Sequence, residues 1–287
     1  MLLRVLKFAM SGYFLPGTSI EIINPNVVRG RIRYALFDFD GTLSVIREGW
    51  QQVMIPFMVD EIMKLNTGES REEVFNIVRE FVTRLTGKQT IYQMIQLAEE
   101  IEKRGGTPLD PLEYKRMYLD RLWERIKDRV AGLKNGTIHP DDMLIVGARQ
   151  FLQSLLDRGV TMFLASGTDI EYVLDEAAAL KIDHFFKGGI YGAIADYKKM
   201  SKKIVIERIL RENNLSGPEL LVVGDGYVEI EDGKAAGGVA VGAATYEPAR
   251  GGIDEWKRNR LIGVGADIII PDYRDGQRLI EYLFDCR

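Results

Sequence analysis

The segment Tyr34-Ala35-Leu36-Phe37-Asp38-Phe39-Asp40-Gly41-Thr42 constrains the fold more than any other, because an apolar run ends in two carboxylates one residue apart. Two unpaired anions are too costly to bury inside a strand, so the pair is expected at the strand's carboxyl end, facing a cation. Strand alternation puts Asp38 and Asp40 on one face with Phe39 opposite, and Gly41-Thr42 lets the chain turn away without steric conflict. The outline is that of a metal and phosphate site, although an Asp-Gly-Thr turn taken alone is also ordinary turn chemistry.

A chain of 287 residues, 46% hydrophobic, can bury one large core or a core with a smaller domain, and two modules are the better expectation. Lys+Arg total 38 against 42 for Asp+Glu, a net charge of −4. Neither sign forms a long block, which argues against a nucleic-acid partner and for a small molecule. The single cysteine, Cys286, has no mate for an internal disulfide, so a reducing, cytoplasmic location is expected. The apolar start Met1–Met10 has some signal-segment character, but Lys7 interrupts it and no small-x-small site is clear before Gly17. No segment is long and apolar enough for a bilayer, so no membrane partner is expected.

From Gln51 to about Val130 the pattern is helical, with Val74, Ile77, Val78, Phe81, Val82 and Leu85 on one face. Ser70 with Glu73, Thr90 with Gln93, and Asp110 with Pro111 and Glu113 mark helix starts, and four helices are predicted. From Met143 onward short apolar runs alternate with amphipathic helices: Val160 to Ala165, Leu220 to Val223, Val239 to Val241 and Ala266 to Ile270. That alternation predicts a parallel sheet, which the strand at Arg33 to Asp38 joins. The helical block is thus inserted into an α/β domain. The first thirty residues are expected to add an edge hairpin or an arm.

In open α/β sheets ligands bind beyond the carboxyl ends of the strands, and four sequence features converge there. Asp38 and Asp40 follow the first strand, Ser166-Gly167-Thr168 follow Thr161–Ala165, and Gly224-Asp225-Gly226 follow Leu221–Val223. Lys202 opens the helix before that last strand, with Ser201 as its cap, and is preferred over its neighbours Lys198, Lys199 and Lys203. In order, these resemble the four motifs of the haloacid dehalogenase (HAD) superfamily of phosphohydrolases. The resemblance covers roughly residues 33 to 46 and 140 to 272, including Gly265-Ala266-Asp267 near the last strand. It implies a Rossmann-like parallel-sheet core, residues 1–48 and 136–287, carrying an α-helical cap, residues 49–135, between the first and second motifs.

The resemblance also implies roles. Asp38 is the expected nucleophile, forming an aspartyl-phosphate, and Asp40 the general acid and then base. Mg²⁺ is implied, held by Asp38, the Asp40 backbone carbonyl and Asp225. Relatives often carry a second Asp four residues after the first of the last motif; Glu229 stands there and is expected to reach the metal directly or through water. Ser166, the Gly167 amide and Lys202 hold phosphoryl oxygens. Arg47, Lys88 and Gln89 are candidate substrate contacts, with Arg47 alternatively sealing the domain hinge and the Gly87–Thr90 stretch alternatively a plain interhelix turn.

The expected enzyme is a phosphatase on a small phosphate monoester, a sugar phosphate by preference. A phosphomutase or phosphotransferase using the same site, or a non-catalytic binding protein with a relic site, are the alternatives. His139 and His184 lie too far apart for zinc-ligand spacing and are expected to be structural. Trp256-Lys257-Arg258 reads as the anchor of a surface helix.

Overall fold

A computed structural model of the protein describes residues 12–194, 196, 199 and 201–284. The signal-like start, Lys198 and Cys286 lie outside the described residues. In chain order the elements are β1 (Tyr13–Phe14), β2 (Glu21–Ile22), β3 (Tyr34–Phe37), α1 (Gln51–Met63), α2 (Arg71–Leu85), α3 (Thr90–Lys103) and α4 (Pro111–Asn135). They continue with α5 (Ala148–Leu156), β4 (Thr161–Asp169), α6 (Ile170–Ala179), β5 (Gly189–Ala193), α7 (Lys202–Glu212) and β6 (Leu220–Gly224). The last are α8 (Tyr227–Ala235), β7 (Val239–Ala243), α9 (Glu255–Gly263), β8 (Ile268–Ile270) and α10 (Gly276–Phe284).

The sheet runs β1-β2-β8-β7-β6-β3-β4-β5, parallel from β8 to β5. Its central strands read as continuous apolar runs because helices cover both faces, and Leu220, Leu221, Val222 and Val223 of β6 are all buried. The β1–β2 hairpin adds antiparallel to β8, which is the edge hairpin expected of the early residues. β5 had no signal in the sequence reading: Gly-Ile-Tyr-Gly-Ala is short, glycine-rich and lies on the far edge. β4 continues past Ala165 to Asp169 through a register shift against β5, so Ser166–Thr168 belong to the end of the strand rather than to a following loop.

β3 is flanked by β6 and β4, so Asp38, Ser166 and Asp225 leave neighbouring strand ends. The chain reverses its strand order at this point, where the ends splay and leave a crevice.

The four helices α1 to α4 are inserted between β3 and β4, as predicted. On α2, Val74, Val78, Phe81, Val82 and Leu85 are buried, and Ile77 is partly so. Ser70 and Glu73 form a reciprocal capping box, and Asp110 accepts from the Leu112 amide ahead of Pro111. The predicted Thr90 cap is corrected: Gln89 occupies the cap position without a side-chain bond, and Thr90 is the first helical residue. Gln93, expected to serve that cap, donates its Nε2 to the Leu85 carbonyl instead, at 3.2 Å. Ties from the insert to the rest of the α/β domain are polar and specific: Arg129 Nη1 donates to Ile46 O at 2.7 Å, Lys115 pairs with Asp169, and Arg260 of α9 donates to Thr83 O at 2.8 Å. No helix among the described residues is long and apolar enough to cross a membrane.

Candidate active site

The turn after β3 is built to bring three strand ends together. The Asp38 amide donates to Val223 O at 2.9 Å, which ties the acidic motif to β6. Gly41 takes φ +75°, and a Cβ there would lie 2.4 Å from Asp225 Oδ2, so glycine serves both the turn and the close approach. Thr42 is fully buried; its Oγ1 accepts from the Asp225 amide at 2.9 Å and its carbonyl accepts from the Tyr273 hydroxyl at 2.9 Å.

Ser201 caps α7 by accepting from the Ile204 amide, which puts Lys202 at the first helical position, as predicted. Its buried Nζ lies 2.8 Å from Asp38 Oδ1 and 2.8 Å from Glu229 Oε2. Burial pushes the Asp38 carboxyl well above its usual range, against the opposing pull of Lys202. Burial also works against the Lys202 ammonium, but Asp38 and Glu229 outweigh it and hold the group charged. Glu229 Oε1 meanwhile accepts from the Gly226 amide at 2.7 Å, fixing the start of α8.

Asp40 is oriented from the strand end of β4: Thr168 donates to its Oδ2 at 2.9 Å and Ser166 at 3.3 Å. Its Oδ1 is buried without a hydrogen-bond partner among the described residues, and Arg47 Nε stands 3.9 Å away. Burial raises the Asp40 carboxyl, with Arg47 opposing. Arg47 is itself gripped by Glu176 of α6, with Nη2 to Oε1 at 2.6 Å and Nε to Oε1 at 3.1 Å.

On the other flank Lys257 bridges Asp225 at 2.7 Å and Glu247 at 2.6 Å. The surface-anchor reading of Trp256–Arg258 is therefore corrected: Trp256 is exposed and Arg258 pairs with Glu21, but Lys257 turns inward. With Asp254 capping α9 through the Lys257 amide, the first turn of that helix faces the strand ends.

One oxygen each of Asp38, Asp225 and Glu229 lies within 4.8 Å of the others. Arg47 is shared between Glu176 and Asp40, so among the described residues the six carboxylates Asp38, Asp40, Glu176, Asp225, Glu229 and Glu247 pair with three cations, Arg47, Lys202 and Lys257, an excess of three. An all-oxygen donor set with surplus negative charge fits a hard divalent cation.

A family model for haloacid dehalogenase-like hydrolases matches residues 32–237. The chain belongs to this family. It is an enzyme, a phosphohydrolase of the HAD superfamily with its helical insert between the first and second motifs. A search of curated proteins finds no significant match. Among solved structures, a predicted phosphoglycolate phosphatase from Haemophilus somnus 129PT superposes with a TM-score of 0.57 at 15% identity, covering 87% of this chain and 98% of that one. A predicted phosphatase from Clostridium acetobutylicum gives 0.57 at 17% identity, covering 87% and 99%. A β-phosphoglucomutase from Clostridium difficile gives 0.51 at 14%, covering 81% and 98%. At such identities these likenesses speak to the fold.

In this HAD chain the predicted residues Asp38, Asp40, Arg47, Lys88, Ser166, Gly167, Lys202 and Asp225 line one cavity of about 100 Å³ between insert and sheet. Glu229 lies behind Lys202, and Gln89 lines a separate, adjoining cavity. A Cβ on Gly167 would stand 2.9 Å from Lys88 O, so the loop at 87–89 lies directly against the second motif. Thr168, Glu176 and Glu247 were not singled out from sequence, and Lys257 was read only as part of a surface anchor. Thr168 stood inside a motif already quoted; the other three carried no local signal, since only folding brings them to the acidic pair. The histidines are structural in geometry: His139 Nδ1 accepts from the Asp141 amide, and His184 lies against the Phe185 ring.

Proposed function

We propose that this HAD enzyme is a Mg²⁺-dependent phosphatase that hydrolyses a small-molecule phosphate monoester through an aspartyl-phosphate on Asp38. The observation that carries the reading is the environment of Asp38: buried, aimed from the end of β3, with Lys202 at 2.8 Å and the carboxylates of Asp225 and Glu229 around it. Such esters hydrolyse so slowly in water that rate enhancements of up to about 10²¹ are needed, and charge neutralisation and alignment must supply them.

Asp38, Asp225 and Glu229 would hold the metal, Glu229 directly or through water, with the Asp40 carbonyl as a further oxygen. When bound, the cation neutralises phosphoryl oxygens and lets two anions approach. Asp38 attacks phosphorus in line, and the P–O bond to the leaving alcohol breaks. Asp40 gives that oxygen its proton; burial raises its carboxyl against the pull of Arg47, which is the direction a general acid needs. It then takes a proton from the water that opens the aspartyl-phosphate, releasing inorganic phosphate and restoring Asp38. Lys202, Ser166 and the Gly167 amide hold the other phosphoryl oxygens.

Residues 49–135 serve as a cap over a soluble metabolite, and the core as residues 1–48 and 136–287. A cytoplasmic setting suits such a substrate. The test is a panel of phosphate esters with released inorganic phosphate measured, with and without Mg²⁺. Metal-dependent release supports the reading; stoichiometric transfer to a second metabolite without release would assign the site to a phosphotransferase.

A further inference from the structure

Two buried oxygens on residues that line the central cavity lack a hydrogen-bond partner among the described residues: Asp40 Oδ1 and Gln93 Oε1. The first belongs to the reacting groups. Gln93 does not, and its position is informative. It sits on α3, almost fully buried, and its Nε2 donates to the carbonyl of Leu85, the last residue of α2. A carbonyl must face the amide nitrogen, so that bond fixes which end of the amide is which. What remains is an acceptor with a set direction and no partner, a condition folded proteins seldom leave standing.

The chemistry of the missing donor follows from the surroundings. The cavity lining includes the hydroxyls of Thr86, Thr90 and Tyr118 and the Trp50 indole, but none of them donates to Gln93 Oε1, which leaves the ligand to supply the partner. Lys88 also lines the cavity, its ammonium over the Tyr92 ring at 5.6 Å. A hydroxyl on the ligand is a neutral donor that satisfies Gln93 without adding a charge to the cavity.

We infer that Gln93 reads the leaving group, its Oε1 accepting a hydrogen bond from a hydroxyl on the alcohol portion, and that the substrate class is a hydroxylated alkyl phosphate. This rests on the phosphatase reading of the site. The pattern is a strong discriminator, because a buried group built to bond a hydroxyl is left unpaired by an analogue lacking it.

The test compares kcat/KM within matched pairs: 2-hydroxyethyl against ethyl phosphate, glycerol 3-phosphate against propyl phosphate, and erythritol 4-phosphate against butyl phosphate. The wild-type enzyme is expected to favour the hydroxylated member of at least one pair by tenfold or more. Gln93→Met, similar in volume but without an acceptor of this strength, is expected to bring that ratio close to one, the loss falling on the hydroxylated member. Gln93→Leu, a second variant without the acceptor, is expected to lose the preference in the same way, so a decision remains if the methionine variant does not fold. Equal wild-type rates across every pair, or a preference that survives in folded Gln93→Met or Gln93→Leu, overturns the inference. Turnover of p-nitrophenyl phosphate and its loss in Asp38→Asn report separately on the phosphatase reading; if that reading fails, this inference falls with it.

Discussion

Lys202 Nζ sits 2.8 Å from Asp38 Oδ1 and equally 2.8 Å from Glu229 Oε2, so a single buried cation joins the end of β3 to the first turn of α8. Its place at the start of α7 opposes the helix dipole, a cost of typically 0.3–1 kcal/mol. Two carboxylates at hydrogen-bond distance in a buried site readily offset that.

Lys202→Ala is therefore expected to depress kcat/KM by about 10²–10³ or more, the scale of losing a preorganised donor at a reacting group. Its removal also leaves Asp38 and Glu229 without their shared cation, so a stability loss on the order of 3–5 kcal/mol should accompany it. Steady-state kinetics and urea unfolding check the two parts; near-normal kcat/KM in a folded variant would remove Lys202 from the site.

Lys257 holds Asp225 and Glu247 in the same way on the opposite flank. Lys257→Met should leave these two carboxylates under-compensated, and a bound divalent cation restores part of the missing charge. The expected outcome is a larger rise in Tm on adding Mg²⁺ than the wild-type protein shows. Thermal shift titrations check this, and an equal or smaller rise would place the metal away from Asp225.

The Arg47–Glu176 pair gives a pH-dependent prediction. Burial pushes the Glu176 carboxyl from 4.5 up to about 7 even with Arg47 pulling it down. A carboxyl raised on folding contributes stability that is complete below its unfolded value and lost as pH rises through the folded value. Arg47→Gln removes the opposing cation and raises the folded value further. The deficit in Tm relative to the wild-type protein should consequently open as pH rises through about 7 and grow above it. Arg47 also lowers Asp40, so the same variant should move the alkaline limb of kcat/KM to higher pH if Asp40 is the general acid. A limb that stays in place would assign Arg47 to structure alone.

Much of this site was legible because its residues follow strands whose apolar runs announce themselves, and because Ser201 and Lys202 combine a cap with an apolar periodicity. Lys257 was illegible for the converse reason. It lies in the first turn of a short helix between exposed Trp256 and Arg258, and nothing local distinguishes it from a solvated lysine. Only the return of the chain after β7 carries it to Asp225. Gln93 was misread as a helix cap because its spacing from Thr90 fits a capping pair, whereas α2 ends close enough for Leu85 to claim the amide. β5 escaped because glycines replace the β-branched residues that mark a strand.

The central claim is that Asp38 is the nucleophile, and the most direct measurement is inorganic phosphate release by Asp38→Asn. The substitution keeps the side chain's size and removes its charge, and circular dichroism verifies that the fold survives. With Mg²⁺ and any ester the wild-type enzyme turns over, the account predicts no release above the enzyme-free rate. Near-wild-type release by the folded variant would contradict it.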